Sequence, residues 1–358
     1  MEIGIVGLPS SGKTTLFNAL TGSRASGFAA GGGAGGLKPN VGVAKIPDPR
    51  LLLITTFIPT KKIVNATIQF VDIPGVAPGG GASKLNAFLV HVRQVDAIVQ
   101  VVRCFDDGSG KINPAADIDS METDLIIADM SVVEGALDKA QRTARTGDAE
   151  AKTRVAVLEK CNTILNEGKA IRSAGWNDAE RAILRTYGLV TSMPVLYVAN
   201  VGEDDLQGKS AHAKAVLDHA AKTGQQSVVV CSKLESELAE IENDADREEM
   251  LKSMGLEEPA NGPLARAANR LLGLTTFYTA GEKEVRAWPV RIGAMAPEAA
   301  GSIHSDIERG FIRAECYSVD DLVQYKNEKG VREAGKLRSE GKNYAIQSGD
   351  VVHFLFNV

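Results

Sequence analysis

Residues 2–20 read EIGIVGLPSSGKTTLFNAL, and this stretch decides the fold. The short apolar run Glu2–Val6 predicts a buried strand, and Leu16, Phe17 and Leu20 fall at helical spacing. Between them GLPSSGKT, Gly7 to Thr14, satisfies Gly-x-x-x-x-Gly-Lys-Ser/Thr. The pattern carries chemistry only between a strand and a helix, which is where it stands. Its glycines let the loop wrap so that backbone N–H groups and the helix N-terminus face phosphate oxygens. Lys13 adds a point charge near the β and γ phosphates, and Thr14 offers a hydroxyl to Mg2+. Pro9, Ser10, Ser11, Gly12 and Thr15 complete the predicted phosphate-binding set.

Outward from this loop, further strand-length apolar runs follow: ATIQFVD (66–72), DAIVQVV (96–102), PVLYVAN (194–200) and SVVVCS (227–232). Each is bounded by Gly, Pro, Asp or Asn, as strands buried on both faces are. With helical stretches between them they predict an α/β fold with a mostly parallel sheet and a ligand at the carboxyl ends of its strands. The run QFVDIPG ends a strand at Asp72 and places Gly75 three positions on. A carboxylate there reaches Mg2+ directly or through water, and Gly75 offers a backbone N–H to a γ-phosphate. Lys13, Asp72 and Gly75 are therefore the expected catalytic group, with Thr14 and Asp72 the expected metal ligands. Val76 follows Gly75, where Ras-type GTPases use Gln to orient water, so slow intrinsic hydrolysis is expected.

Two regions break the alternation. From about 118 to 187 no strand pattern occurs; Leu125, Met130, Val133, Leu137 and Ala140, then Val155, Leu158, Cys161 and Leu165, recur at helical spacing. This predicts an antiparallel α-helical hairpin inserted into the sheet domain. Residues 275–358 give two strands, a short helix and further strands, a small α+β module whose charges nearly cancel. The expected organisation is a nucleotide-binding domain over 1–117 and 188–274, the hairpin over 118–187 and the carboxyl-terminal domain over 275–358. The tract GFAAGGGAGG, 27–36, reads as a flexible loop.

Composition excludes several classes. The chain of 358 residues is 44% hydrophobic and 24% charged, with formal net charge -5, so its overall field does not favour nucleic acid. No apolar run approaches the roughly 20 residues of a membrane span, and the start MEIGIVG has no secretory character, so a soluble cytoplasmic protein is expected. Cys104, Cys161, Cys231 and Cys316 are scattered, which argues against a zinc site or a disulfide framework.

The base-reading end turns on VLYVANVGEDD, 195–205. GTP-binding proteins end such a strand in Asn-Lys-x-Asp, whose Asp accepts the N1–H and N2–H2 donors of guanine together. Here Asn200 is followed by Val201 and Glu203. Glutamate is one methylene longer and cannot hold the same bidentate position without moving the loop. Asn200 can pair with N7 of either purine, Val201 can lie against the ring, and CSK, Cys231 to Lys233, ends the next strand, with Cys231 and Ser232 assigned to the nucleotide site. Weakened guanine selectivity follows from these residues; an adenine preference does not.

The segments GIVGLPSSGKTTLFNALTG, PNVGVAKIPDPRL, VDIPG, VDAIVQVVRCF and VANVGE, with the tail from TTFYTAGEKEVRAW through GFIRAE to SGDVVHFLFNV, make the chain resemble the YchF subfamily of Obg-related P-loop proteins over essentially its whole length. The resemblance implies a carboxyl-terminal TGS domain of ubiquitin-like β-grasp fold. It implies ATP in preference to GTP, through Asn200 and Glu203, with Mg2+ as cofactor. It also implies ribosome association and a role in translation or stress response, with RNA contact through the TGS domain and the hairpin. Two departures lie near the phosphates. Ser10 and Ser11 replace the Asn and Val usual in the family loop, and Gly36 falls where the family has a switch Thr.

Three functions compete on these residues: a slow Mg2+-dependent ATPase, a GTPase with relaxed base selectivity, and a nucleotide-stabilised RNA- or ribosome-binding module with negligible hydrolysis. The first rests on Gly7–Thr14, Asp72, Asn200 and Glu203. The last is motivated by Val76 and Gly36, which lack the usual side-chain chemistry.

Overall fold

The computed structural model describes residues 1–25, 38–77, 81–108, 110–145 and 148–357. The Gly-rich tract and Gly36 lie outside them. The chain divides into two units, Met1–Gly42 with Gln69–Pro263, and Val43–Ile68 with Leu264–Val358.

The first unit begins with β1 (Glu2–Val6) and α1 (Lys13–Thr21), then enters β2 (Asn40–Lys45). Between β2 and β4 (Thr67–Asp72) lie α2 (Pro49–Phe57) and β3 (Ile63–Val64), which belong to the second unit. The first unit continues through α3 (Ala82–Val92), β5 (Ala97–Arg103), α4 (Pro114–Ala144), α5 (Ala149–Asn166), α6 (Asp178–Tyr187), β6 (Val195–Asn200), α7 (Ala211–Lys222), β7 (Gln226–Val230), α8 (Ser232–Glu240) and α9 (Asp244–Ser253). The sheet order is β2-β4-β1-β5-β6-β7, and every pair from β4 to β7 is parallel. β6 is buried along its whole length and β5 at all but its last residue, as their unbroken apolar runs require, whereas β2 at the edge alternates in exposure. Each fully buried Ile, Leu or Val on these strands contributes about 1.5–3 kcal/mol.

α4 explains why the helical insertion is stable. Asn113 caps it, accepting from Ala116 N–H at 3.3 Å, and Pro114 starts it where a missing N–H costs nothing. Its first half belongs to the main core through Ile118, Met121 and Leu125. Its second half packs Val133 and Ala140 against Val157, Leu158, Cys161 and Leu165 of α5. Buried Asp129 holds the return of the chain: it accepts from Val190 N–H at 3.1 Å and from the Thr191 N–H and hydroxyl, each at 2.7 Å.

α10 (Asn261–Leu271) carries the chain into the second unit, which adds β8 (Leu274–Thr279), β9 (Val285–Arg291), α11 (Ala296–Ile303), α12 (Ser305–Arg309), β10 (Phe311–Ser318), α13 (Val319–Tyr325), α14 (Glu328–Glu333), β11 (Arg338–Glu340) and β12 (Asp350–Phe356). Its sheet order is β11-β10-β12-β8-β9-β3. β8 and β9 form an antiparallel hairpin, β12 runs parallel to β8, and α11 packs Ala296, Ala299 and Ala300 into a core with Phe277 and Phe354. A mixed sheet crossed by a helix is the arrangement expected of a β-grasp domain. The sequence pattern missed α13, α14 and β11, which are too short for a periodic signal.

Residues 43–68, assigned from sequence to the amino-terminal domain, group with the second unit. β3 pairs with β9 in parallel, too short to announce itself as a strand. Asp48 caps α2, accepts from Tyr278 Oη and pairs with Arg50 at 3.0 Å. Burial pushes the Asp48 carboxyl up, and the Arg50 and Tyr278 hydrogen bonds outweigh it, holding the carboxyl below its usual range.

Cys104, Cys161, Cys231 and Cys316 are free and buried. Among the described residues no helix is long and apolar enough to cross a membrane.

Candidate nucleotide site

At the carboxyl end of β1, Gly7–Gly12 form a loop that closes into α1 at Lys13. Gly12 is obligatory there. Its φ is +89°, and a Cβ would sit 2.2 Å from Asn200 Nδ2. Ser10 also takes a left-handed backbone, φ 61°, and with Pro9 and Thr15 is exposed. Ser11 is buried, and its hydroxyl has no hydrogen-bond partner.

Lys13 is buried and its Nζ donates to the Leu8 carbonyl at 2.8 Å, so the loop itself holds the ammonium. Burial pushes its pKa down to about 8, against the pull of the nearby Asp72 charge. Thr14 Oγ1 donates to Asp72 Oδ2 at 2.9 Å, and Asn40 Nδ2 reaches the same oxygen at 3.3 Å. The other oxygen, Asp72 Oδ1, is buried with no partner. Burial raises the Asp72 pKa, opposed by the bonds from Thr14 and Asn40 and by the Lys13 charge. A hydroxyl and an under-satisfied carboxylate side by side are oxygen donors of the kind Mg2+ takes, so the residues present fit that ion.

Gly75 closes the phosphate end. A Cβ on it would lie 2.5 Å from the Gly7 carbonyl oxygen and 2.8 Å from Lys13 Nζ, so only glycine lets this backbone lie against the loop. Val76 is half-buried and packs on the main core cluster, and it presents no polar group.

The base end differs from the sequence reading. Asn200 does end β6, but it is buried and its amide is committed: Nδ2 donates to the Ser11 carbonyl at 2.8 Å and Oδ1 accepts from Ser232 N–H at 3.0 Å. It ties the phosphate loop to the loop after β7. Val201 is 2% exposed and belongs to the core, as does Cys231, so neither presents a face to a purine ring. Burial comes first among the causes that raise the Cys231 thiol. Ser232 is buried with an unpartnered hydroxyl. Glu203 opens the turn after β6 and is exposed, its Oε1 2.6 Å from Lys233 Nζ. Lys233 and Asn40 were not singled out as site residues from sequence. Lys233 follows directly on Cys231–Ser232, and Asn40 opens β2 after Pro39.

A family model described as "50S ribosome-binding GTPase" matches residues 2–134, and a YchF carboxyl-terminal model, described as a protein of unknown function, matches 274–357. The chain is 44% identical to the "Ribosome-binding ATPase YchF" of Escherichia coli O157:H7, covering 100% of this chain and 99% of that relative. It is 42% identical to the protein of that name from Bacillus subtilis, covering 100% of both. The solved YchF GTPase of Schizosaccharomyces pombe superposes with a TM-score of 0.87 at 32% identity, covering 99% of this chain and 97% of that one.

Proposed function

The chain belongs to the YchF family, and from that premise we propose that it is a slow, Mg2+-dependent, ribosome-associated ATPase of the cytoplasm whose nucleotide state regulates translation or a stress response. The observation that carries the hydrolytic reading is the cluster of Lys13, Thr14 and Asp72, with Asp72 Oδ1 unpartnered beside the Thr14 hydroxyl.

On this reading the backbone N–H groups of Ser10 to Thr14 hold the β-phosphate. Lys13 leaves the Leu8 carbonyl for the β and γ oxygens, and the Gly75 N–H meets the γ-phosphate. Thr14 and Asp72 would hold Mg2+, which when bound neutralises charge developing on the phosphates. Val76 cannot position water, so turnover is slow unless the backbone or a ribosomal group supplies that function. Glu203, steadied by Lys233, faces the base edge, where a bidentate grip on guanine is lost. The preference for ATP, with GTP the weaker ligand, rests on the relatives named ATPase.

The relatives' names divide between ATPase and GTPase. The Glu203–Lys233 pair also sustains a second reading, a GTPase with relaxed base selectivity, because it is exposed and a bound base can compete for its carboxylate. The ribosome is the partner named for the relatives, and the hairpin and carboxyl-terminal domain are proposed to meet it or its RNA.

The test is phosphate release from ATP and from GTP by the purified chain, with and without Mg2+, beside Lys13→Ala. Mg2+-dependent release from ATP that disappears in the variant is expected. Equal release by the variant would overturn the assignment.

A further inference from the structure

The root of α10 is gripped from two sides. Glu235, in the first turn of α8, is only 1% exposed, and both its oxygens serve backbone. Ala260 N–H donates to Oε1 at 2.7 Å and Asn261 N–H to Oε2 at 3.1 Å. The Asn261 side chain reaches the other way, Nδ2 donating to the Ala19 carbonyl at 3.2 Å. Ala19 lies toward the end of α1, the helix that opens at Lys13, and α8 opens directly after Cys231.

The two helices whose amino ends carry the phosphate loop and the base loop therefore hold one dipeptide. From that dipeptide α10 leads out of the first unit. A glutamate buried on two backbone donors is not a solvated helix face. Its neighbour is under-satisfied, since Asn261 Oδ1 is buried without a donor, as is Asn269 Oδ1 further along α10.

We propose that Ala260–Asn261 is a link that reports nucleotide occupancy to α10, with Glu235 as its positioning residue. A nucleotide draws the loops at the heads of α1 and α8 onto one ligand, and the grip of both helices on Ala260–Asn261 tightens with them. The inference rests on the nucleotide reading above and adds the route by which occupancy leaves the site.

The experiment is hydrogen–deuterium exchange on the full chain with and without a non-hydrolysable ATP analogue and Mg2+, on wild type, Glu235→Gln and Asn261→Ala. In wild type the analogue slows exchange across 260–272 by about threefold or more, alongside protection of 7–15. Both variants keep the protection of 7–15 and lose the response at 260–272. A wild type in which 7–15 is protected and 260–272 is unchanged overturns the link, as does a full response in both variants. Loss in one variant only overturns the two-sided grip and leaves a single contact. Absence of protection at 7–15 by ATP and GTP analogues alike overturns the nucleotide reading, and the link with it.

Discussion

Glu203 Oε1 and Lys233 Nζ stand 2.6 Å apart at the base end of the site, joining the turn after β6 to the first turn of α8. The hydrogen bond and charge of Glu203 raise the Lys233 pKa, so the ammonium stays charged. The carboxylate that would have to read a purine is thus already engaged. A base must compete for it, and the longer, tethered side chain lacks the fixed geometry with which an aspartate accepts two guanine donors.

Asn200 acts as scaffold, which separates its loss from any change in selectivity. Asn200→Ala leaves the Ser11 carbonyl and the Ser232 N–H without their partner in a buried place. Each such group costs about 1–3 kcal/mol. Denaturant unfolding should show a loss of roughly 2–6 kcal/mol, and ATP and GTP affinities should fall together. A variant that lost only one purine would show Asn200 reading the base directly.

Asp129 seats the helical insertion by satisfying three donors of Val190 and Thr191. Asp129→Ala should destabilise the protein by about 2–4 kcal/mol while a fluorescent ATP analogue binds the folded protein with affinity within about twofold, since sites without shared partners act independently. A large loss of affinity in the folded variant would place Asp129 in the nucleotide site's support instead.

Glu235 gives a pH signature. Burial raises its pKa, against the lowering effect of the Ala260 and Asn261 N–H groups. The folded state therefore holds this proton more tightly than the unfolded chain. Its contribution to stability is complete below about pH 4.3, the ordinary glutamate value, and is lost as pH rises through the raised folded value. Melting temperatures of wild type and Glu235→Gln, measured from pH 4 upward, should show wild type losing ground to the variant across that window. Parallel curves would mean that Glu235 titrates normally.

What the sequence disclosed follows physical range. That Gly7–Thr14, Asp72 and Gly75 come together was legible because each sits in a contiguous motif whose residue types the phosphate chemistry demands. The strands β5 and β6 were legible because burial on both faces leaves an unbroken apolar run. The burial of Asn200, Val201 and Cys231 was not legible because a strand end looks the same whether its side chain faces ligand or core. Glu235 gave no signal, since a glutamate in an amphipathic helix reads as surface until the partner at Ala260 is known. The grouping of 43–68 with the second unit was not legible because β3 is two residues long and its partner β9 lies far along the chain.

The most direct measurement is competition of GTP against ATP for the Mg2+-loaded protein, with Glu203→Asp alongside. Tighter binding of ATP by wild type, moving toward GTP by about tenfold or more in the variant, is the predicted result, since tenfold is about 1.4 kcal/mol and within reach of one restored bidentate contact. Tighter binding of GTP by wild type would contradict the account and leave a GTPase that reads guanine without an aspartate.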